Sequence, residues 1–146
     1  ALQLMQAYFE PTDSLIYAPL VHLAPEGPPL HLLQVLGWDD SFTPWQTGVI
    51  YAAATGGTLA LPDHRPPELD LAGLDPVAGL GMATAELPLA GNVDAGGVPI
   101  TGVTVAHASD GSYDGHFVMF ENPDAIRQVT GFLSTALAGE LPTVPR

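Results

Sequence analysis

The sequence predicts an α/β chain built on a partly parallel sheet. Three observations carry that expectation: a nearly continuous apolar run at 30–38, a β-branched apolar run at 100–108, and a capped helical pattern after each.

The run at 30–38 (LHLLQVLGW) lies between a proline pair and Gly37-Trp38-Asp39-Asp40. Such unbroken apolar character suits a strand buried on both faces. Thr43 then offers a helix N-cap, Pro44 suits the first helical position, and Gln46 completes a T-x-x-Q capping box. Trp45, Val49, Ala52 and Ala53 form one apolar face, and Gly56-Gly57 ends the helix. Asp39 and Asp40 therefore fall on a strand-to-helix turn. Residues 58–61 read as a second short strand. Residues 62–99 are punctuated by Gly and Pro without a sustained period, so an irregular excursion with short helical or strand pieces is expected there. Residues 100–108 (ITGVTVAHA) read as a further strand. Asn122 caps and Pro123 opens a final helix, with Ile126, Val129, Leu133, Ala136 and Leu137 as its expected buried stripe and Gly139 as its stop. Near the start, Leu2, Met5 and Phe9 have the spacing of a short amphipathic helix over 1–9.

Composition narrows the partners. Sixteen carboxylates face three cations, giving a net charge of −13, and charged residues are only 13% of the chain. Arg65, Arg127 and Arg146 stand alone in sequence, so nucleic acid and anionic membrane surfaces are not expected partners. Low cation content favours an extracellular or periplasmic setting. The longest uncharged stretch, 41–62, is interrupted by Pro44, Gln46, Gly48, Gly56 and Gly57, and no membrane span is expected. Cysteine is absent, which excludes disulfides, zinc-thiolate sites and a Cys nucleophile. The five histidines show no HExxH or i, i+4 spacing, and no metal or cofactor is expected.

Two segments could carry chemistry. Asp39 and Asp40 either favour the following helix electrostatically or serve a site at the carboxyl end of a strand. Asp114-Gly115-His116-Phe117 places a histidine in the loop between the later strand and the final helix. A carboxylate and a histidine in that order match the second half of a Ser–acid–His system, where the acid holds the imidazole tautomer and the imidazole takes the serine proton. Trp38, Phe42 and Phe117 are either core packing or the walls of an apolar acyl cleft. Asp110, Ser112, Asp114 and Glu121 partly match a calcium-loop template, which supports an alternative reading as a non-catalytic binding or calcium-binding module.

Gly37-Trp38-Asp39-Asp40-Ser41-Phe42-Thr43-Pro44 resembles the G-x-x-D-x-[YF]-[TS]-P acid segment of bacterial α/β-hydrolases of the esterase/lipase class. Asp114-Gly115-His116-Phe117 resembles their D-G-H-F histidine segment, and Glu10-Pro11-Thr12-Asp13-Ser14 with Tyr17-Ala18-Pro19 is similar to a stretch preceding their acid strand. The resemblance implies that Asp40 is the acid and His116 the base of a serine carboxylester hydrolase acting on a small ester or lipid. No G-x-S-x-G occurs. The nearest match, His107-Ala108-Ser109-Asp110-Gly111, is followed by residues that cannot start a helix, so Ser109 is not expected to be the nucleophile. The resemblance thus implies that residues 1–146 are the C-terminal segment of one hydrolase domain. The sheet would be incomplete by itself, 62–99 would be an insertion, and the serine would lie in an N-terminal part of the same hydrolase. A first residue other than Met fits that expectation.

Overall fold

The computed structural model describes residues 13–66 and 79–146. The helix expected over 1–9 lies outside them. Two single-turn helices, α1 (Ser14–Tyr17) and α2 (Pro19–His22), lead into β1 (Leu32–Gly37), followed by α3 (Trp45–Thr55) and β2 (Thr58–Leu61). Then come β3 (Ala83–Glu86), the short pair β4 (Val93–Asp94) and β5 (Pro99–Ile100), and β6 (Gly102–His107). A 3-10 turn (Gly115–Phe117), α4 (Val118–Glu121) and the long α5 (Pro123–Leu137) complete the order.

The main sheet has the order β1-β6-β2-β3, and every pairing in it is parallel. The fold is α/β, as the apolar runs require. Side chains alternate across the sheet and build two cores. Leu36, Trp38, Leu59 and Ala106 pack with Trp45 and Val49 of α3 on one face. Val103, Val105 and Ala60 pack with Leu87 and Val144 on the other, with Phe132 of α5 against them.

The strand buried on both faces is β6, every residue of which is buried, rather than β1. β1 is half-buried from Leu32 to Val35, because β6 pairs with one side of it and, among the described residues, no strand pairs with the other. The 62–99 stretch contributes a strand to the sheet: β3 runs in register with β2 from Thr58↔Ala83 to Leu61↔Glu86. Thr43 does not cap α3. Pro44 occupies the N-cap position, and the amides of Phe42 and Thr43 go to Asp40 instead. Gly56 ends α3 at φ 76°, as a glycine stop should.

α5 begins as expected, with the Asn122 side chain accepting from the Asp124 and Ala125 amides. Its buried stripe is different. Ala125 and Gln128 are buried and Phe132 packs inward, while Ile126, Leu133 and Leu137 face outward, Leu137 being 88% exposed. Hydrophobic spacing identified the helix but could not choose between its two apolar faces.

Candidate functional site

β1 and β6 pair in register up to Gly37↔His107, and the Trp38 amide donates to the His107 carbonyl (3.0 Å). Their exit loops consequently leave the sheet side by side. Two carboxylates lash these loops together. Asp39 accepts from the amide (3.0 Å) and the hydroxyl of Ser109. Asp114 accepts from the amides of Ser41 (3.2 Å) and His116 (2.9 Å), and the Ser41 side chain first, then the His116 and Ser41 amides, hold its carboxyl below its ordinary pKa. Gly115 is buried against the Asp39-Asp40 backbone.

This packing brings His116 to Asp40. The ring Nδ1 lies 3.1 Å from Asp40 Oδ2, while Oδ1 accepts from the Phe42 and Thr43 amides at 2.8 Å each. Partial burial pushes the Asp40 pKa up, but the Thr43 amide, the His116 ring and the Phe42 amide outweigh it and hold the carboxyl below the usual range. Asp40 is therefore an ionised acceptor, which fixes the proton of the neutral imidazole on Nδ1. Nε2 then presents its lone pair, and among the described residues it has no hydrogen-bond partner. The Asp40 side chain is 14% exposed and that of His116 44%, so the acid is sheltered and the ring is accessible.

Phe42 and Phe117 flank the imidazole, with ring centroids 5.0 and 5.3 Å from it, and both are solvent-exposed. Trp38 does not join them. It is 1% exposed, packs edge-on against Trp45 and donates its indole N–H to the Asp63 carbonyl (2.5 Å). An indole in the core cannot line a cleft, so the expectation for Trp38 is corrected to packing.

The other singled-out residues separate. The Ser109 hydroxyl is bonded to Asp39, and no hydrogen bond joins it to His116. Asp110 bonds to the amide and hydroxyl of Ser112, whereas Asp114 serves Ser41 and His116. Among the described residues, no group of three or more His, Asp or Glu side chains is placed to hold a metal ion. His22 is buried against the Leu30 carbonyl, and His31 accepts from the Thr101 amide. No helix of the described residues is long and apolar enough to cross a membrane.

Sequence reasoning missed the pairing of Asp39 with Ser109 and the stacking of His64 on His107, 5.4 Å apart. Neither has a local signature, since both join residues far apart in the chain.

Chemically, an ionised carboxylate behind an Nδ1–H imidazole with an open Nε2 is a general base for a hydroxyl or water on the exposed side. Compared with protein-family models, curated proteins and solved structures, the chain matches none.

Proposed function

We propose that this chain carries the acid and base of a serine carboxylester hydrolase. Asp40 orients His116 and stabilises its imidazolium. His116 Nε2 takes the proton of a serine hydroxyl and returns it to the leaving alkoxide. The nucleophile and the oxyanion donors come from an N-terminal part of the same hydrolase that docks beside the Asp40-His116 pair. Phe42 and Phe117 border the acyl or alcohol group of a small ester or lipid.

The observation that carries this reading is the 3.1 Å contact between His116 Nδ1 and Asp40 Oδ2, with Asp40 gripped by two amides and the far side of the ring exposed. A surface ion pair made only for stability needs neither the preorganised acceptor nor the open nitrogen. The side of β1 that pairs with no strand among the described residues and the outward apolar stripe of α5 support an incomplete sheet, since both are surfaces that a further part of a domain would cover.

The test is hydrolysis of a p-nitrophenyl ester by the chain joined to its N-terminal complement. Turnover should fall at least a thousandfold in His116→Ala, in line with loss of a general base in a triad. Undiminished turnover in that variant removes His116 from the reaction. The chain by itself should give no turnover, because no acyl-enzyme can form without the nucleophile.

A further inference from the structure

At the amino ends of β1 and β6, away from the Asp40-His116 pair, a histidine ring seats the two short helices α1 and α2 on the sheet. The amides of Ile16, Ala18, Val21, Leu23 and Ala24 all donate to carbonyls within 13–19. This hydrogen bonding closes on itself, and side chains attach the segment to the rest of the fold. Ala18 and His22 are its buried residues, whereas Leu15, Ile16, Leu20 and Leu23 are exposed.

Two glycines form the seat. The His22 ring lies on Gly102, at the start of β6, where a Cβ would come within 2.5 Å of the ring Cε1. Val93 of β4 borders the same spot. Leu23 rests in the same way on Gly56, the stop of α3, where a Cβ would overlap the leucine side chain.

His22 is 2% exposed, and its Nε2 lies 3.0 Å from the Leu30 carbonyl oxygen. A carbonyl only accepts, so Nε2 carries the proton of the neutral ring and Nδ1 keeps the lone pair. Nδ1 is buried, with no hydrogen-bond partner among the described residues. Such an orphan is uncommon in a folded protein and costs stability where it stands. A second proton would bury a charge instead. Burial lowers the His22 pKa, and His31 adds to it, against the raising effect of the Leu30 and Thr55 backbone. The charged or titratable groups nearby in the fold are Asp13 at the head of α1, Glu26 and His31 ahead of β1, and Asp94 on β4. α3 and the start of β6 carry no charged side chain. Of these groups His31 is the one that acts on the ring, so the charged form meets a second imidazole rather than a carboxylate.

We infer that His22 is an acid-released latch: as pH falls, its ring leaves Gly102 and α1–α2 detaches while the sheet stays folded. Detachment exposes little new apolar surface, because the segment buries so few side chains, and such segments open locally. The open ring binds a proton more readily than the closed one, so acid favours opening. The ratio of closed to open segment falls up to about tenfold per pH unit, from about pH 6.5 down to the folded pKa of the ring. The inference is independent of the hydrolase reading, because Asp40 and His116 follow the opposite ends of the same strands.

The test is amide hydrogen exchange on the 15N-labelled chain between about pH 7.5 and 5, with NMR titration of the His22 ring. The Leu23 and Ala24 amides, which donate to the Pro19 carbonyl, should lose about tenfold or more of their protection. That loss should follow the titration of the ring, while the β6 amides keep their protection. His22→Gln retains a donor for the Leu30 carbonyl but cannot titrate, so in it the protection of α2 should no longer depend on pH. Unchanged protection of α2, a loss that persists in His22→Gln, or an equal loss across β6 would each overturn the inference. Should His22→Gln fail to fold, the unsubstituted chain decides: a loss that does not track the His22 ring overturns the latch, and one that tracks it supports it. Failure here leaves the ester-hydrolysis test of His116 unaffected.

Discussion

Gly37, at the end of β1, and Gly115, opening the 3-10 turn, pass with their backbones in contact. A Cβ on Gly37 would overlap the Gly115 carbonyl, and one on Gly115 would come within 2.5 Å of the Asp39 carbonyl carbon and the Asp40 nitrogen. Two absent side chains therefore set how near the His116 loop comes to the acid turn. Gly115→Ala should push that loop away, costing about 1–3 kcal/mol as overpacking does. The His116 Nδ1–H resonance should weaken or vanish with it. A thermal melt and a proton NMR spectrum check both, and an alanine tolerated with an unchanged resonance would contradict the packing argument.

Asp40 and Asp39 are expected to separate by mutation. Asp40→Asn removes the charge that fixes the His116 tautomer, and in the completed enzyme kcat should fall by roughly 10³–10⁴. Asp39→Asn retains an acceptor for Ser109 and should lower kcat much less. Equal effects from the two variants would argue that both act only through loop structure.

The pH dependence of stability follows from opposite causes at the two kinds of group. Burial lowers the pKa of His22, against the raising effect of the Leu30 and Thr55 backbone, and it lowers that of His107 against Gln128. In each case the unfolded chain binds a proton more readily than the folded one. Their contribution is therefore complete above about pH 6.5 and is lost progressively as pH falls below it. Asp40 adds a second decline. Its carboxyl is depressed in the folded state, so its contribution is present above its unfolded value of 3.8 and lost as pH falls through the folded one. Melting temperatures between pH 8 and 3 should show both, the upper one reduced in His107→Gln. A flat profile from pH 7 to 5 would contradict the buried neutral histidines.

The outward stripe of α5 should make the chain associate. Ile126, Leu133 and Leu137 lie on one exposed face of the helix. Light scattering should show mass rising with concentration, and Leu133→Ser with Leu137→Ser should suppress the rise while changing the melting temperature little. A well-behaved monomer at high concentration would show that this face is tolerated by itself.

Much of the fold was legible because its signals are local. The run at 30–38, the β-branched run at 100–108, the Asn122-Pro123 helix start and the Gly56 stop each depend on neighbours a few residues away, and each led to an element within two residues of its expected bounds. The strand order was not legible. A central and an edge strand can carry similar apolar runs, so the full burial of β6 and the half-burial of β1 emerged only from pairing. The outward turn of the α5 stripe and the withdrawal of Trp38 into the core have the same origin, since a face becomes inside or outside only when something packs on it.

The local sequence determined that a carboxylate pair would sit after one strand and a histidine after another. That followed from chain order and turn chemistry. The motif resemblance favoured Asp40 over Asp39 as the carboxylate facing His116, whereas the roles of Ser109, Asp114 and Gly115 in holding the two loops together were decided only by tertiary structure. Those contacts join segments some seventy residues apart, and they form because parallel pairing of β1 with β6 brings two distant exit loops to the same edge of the sheet.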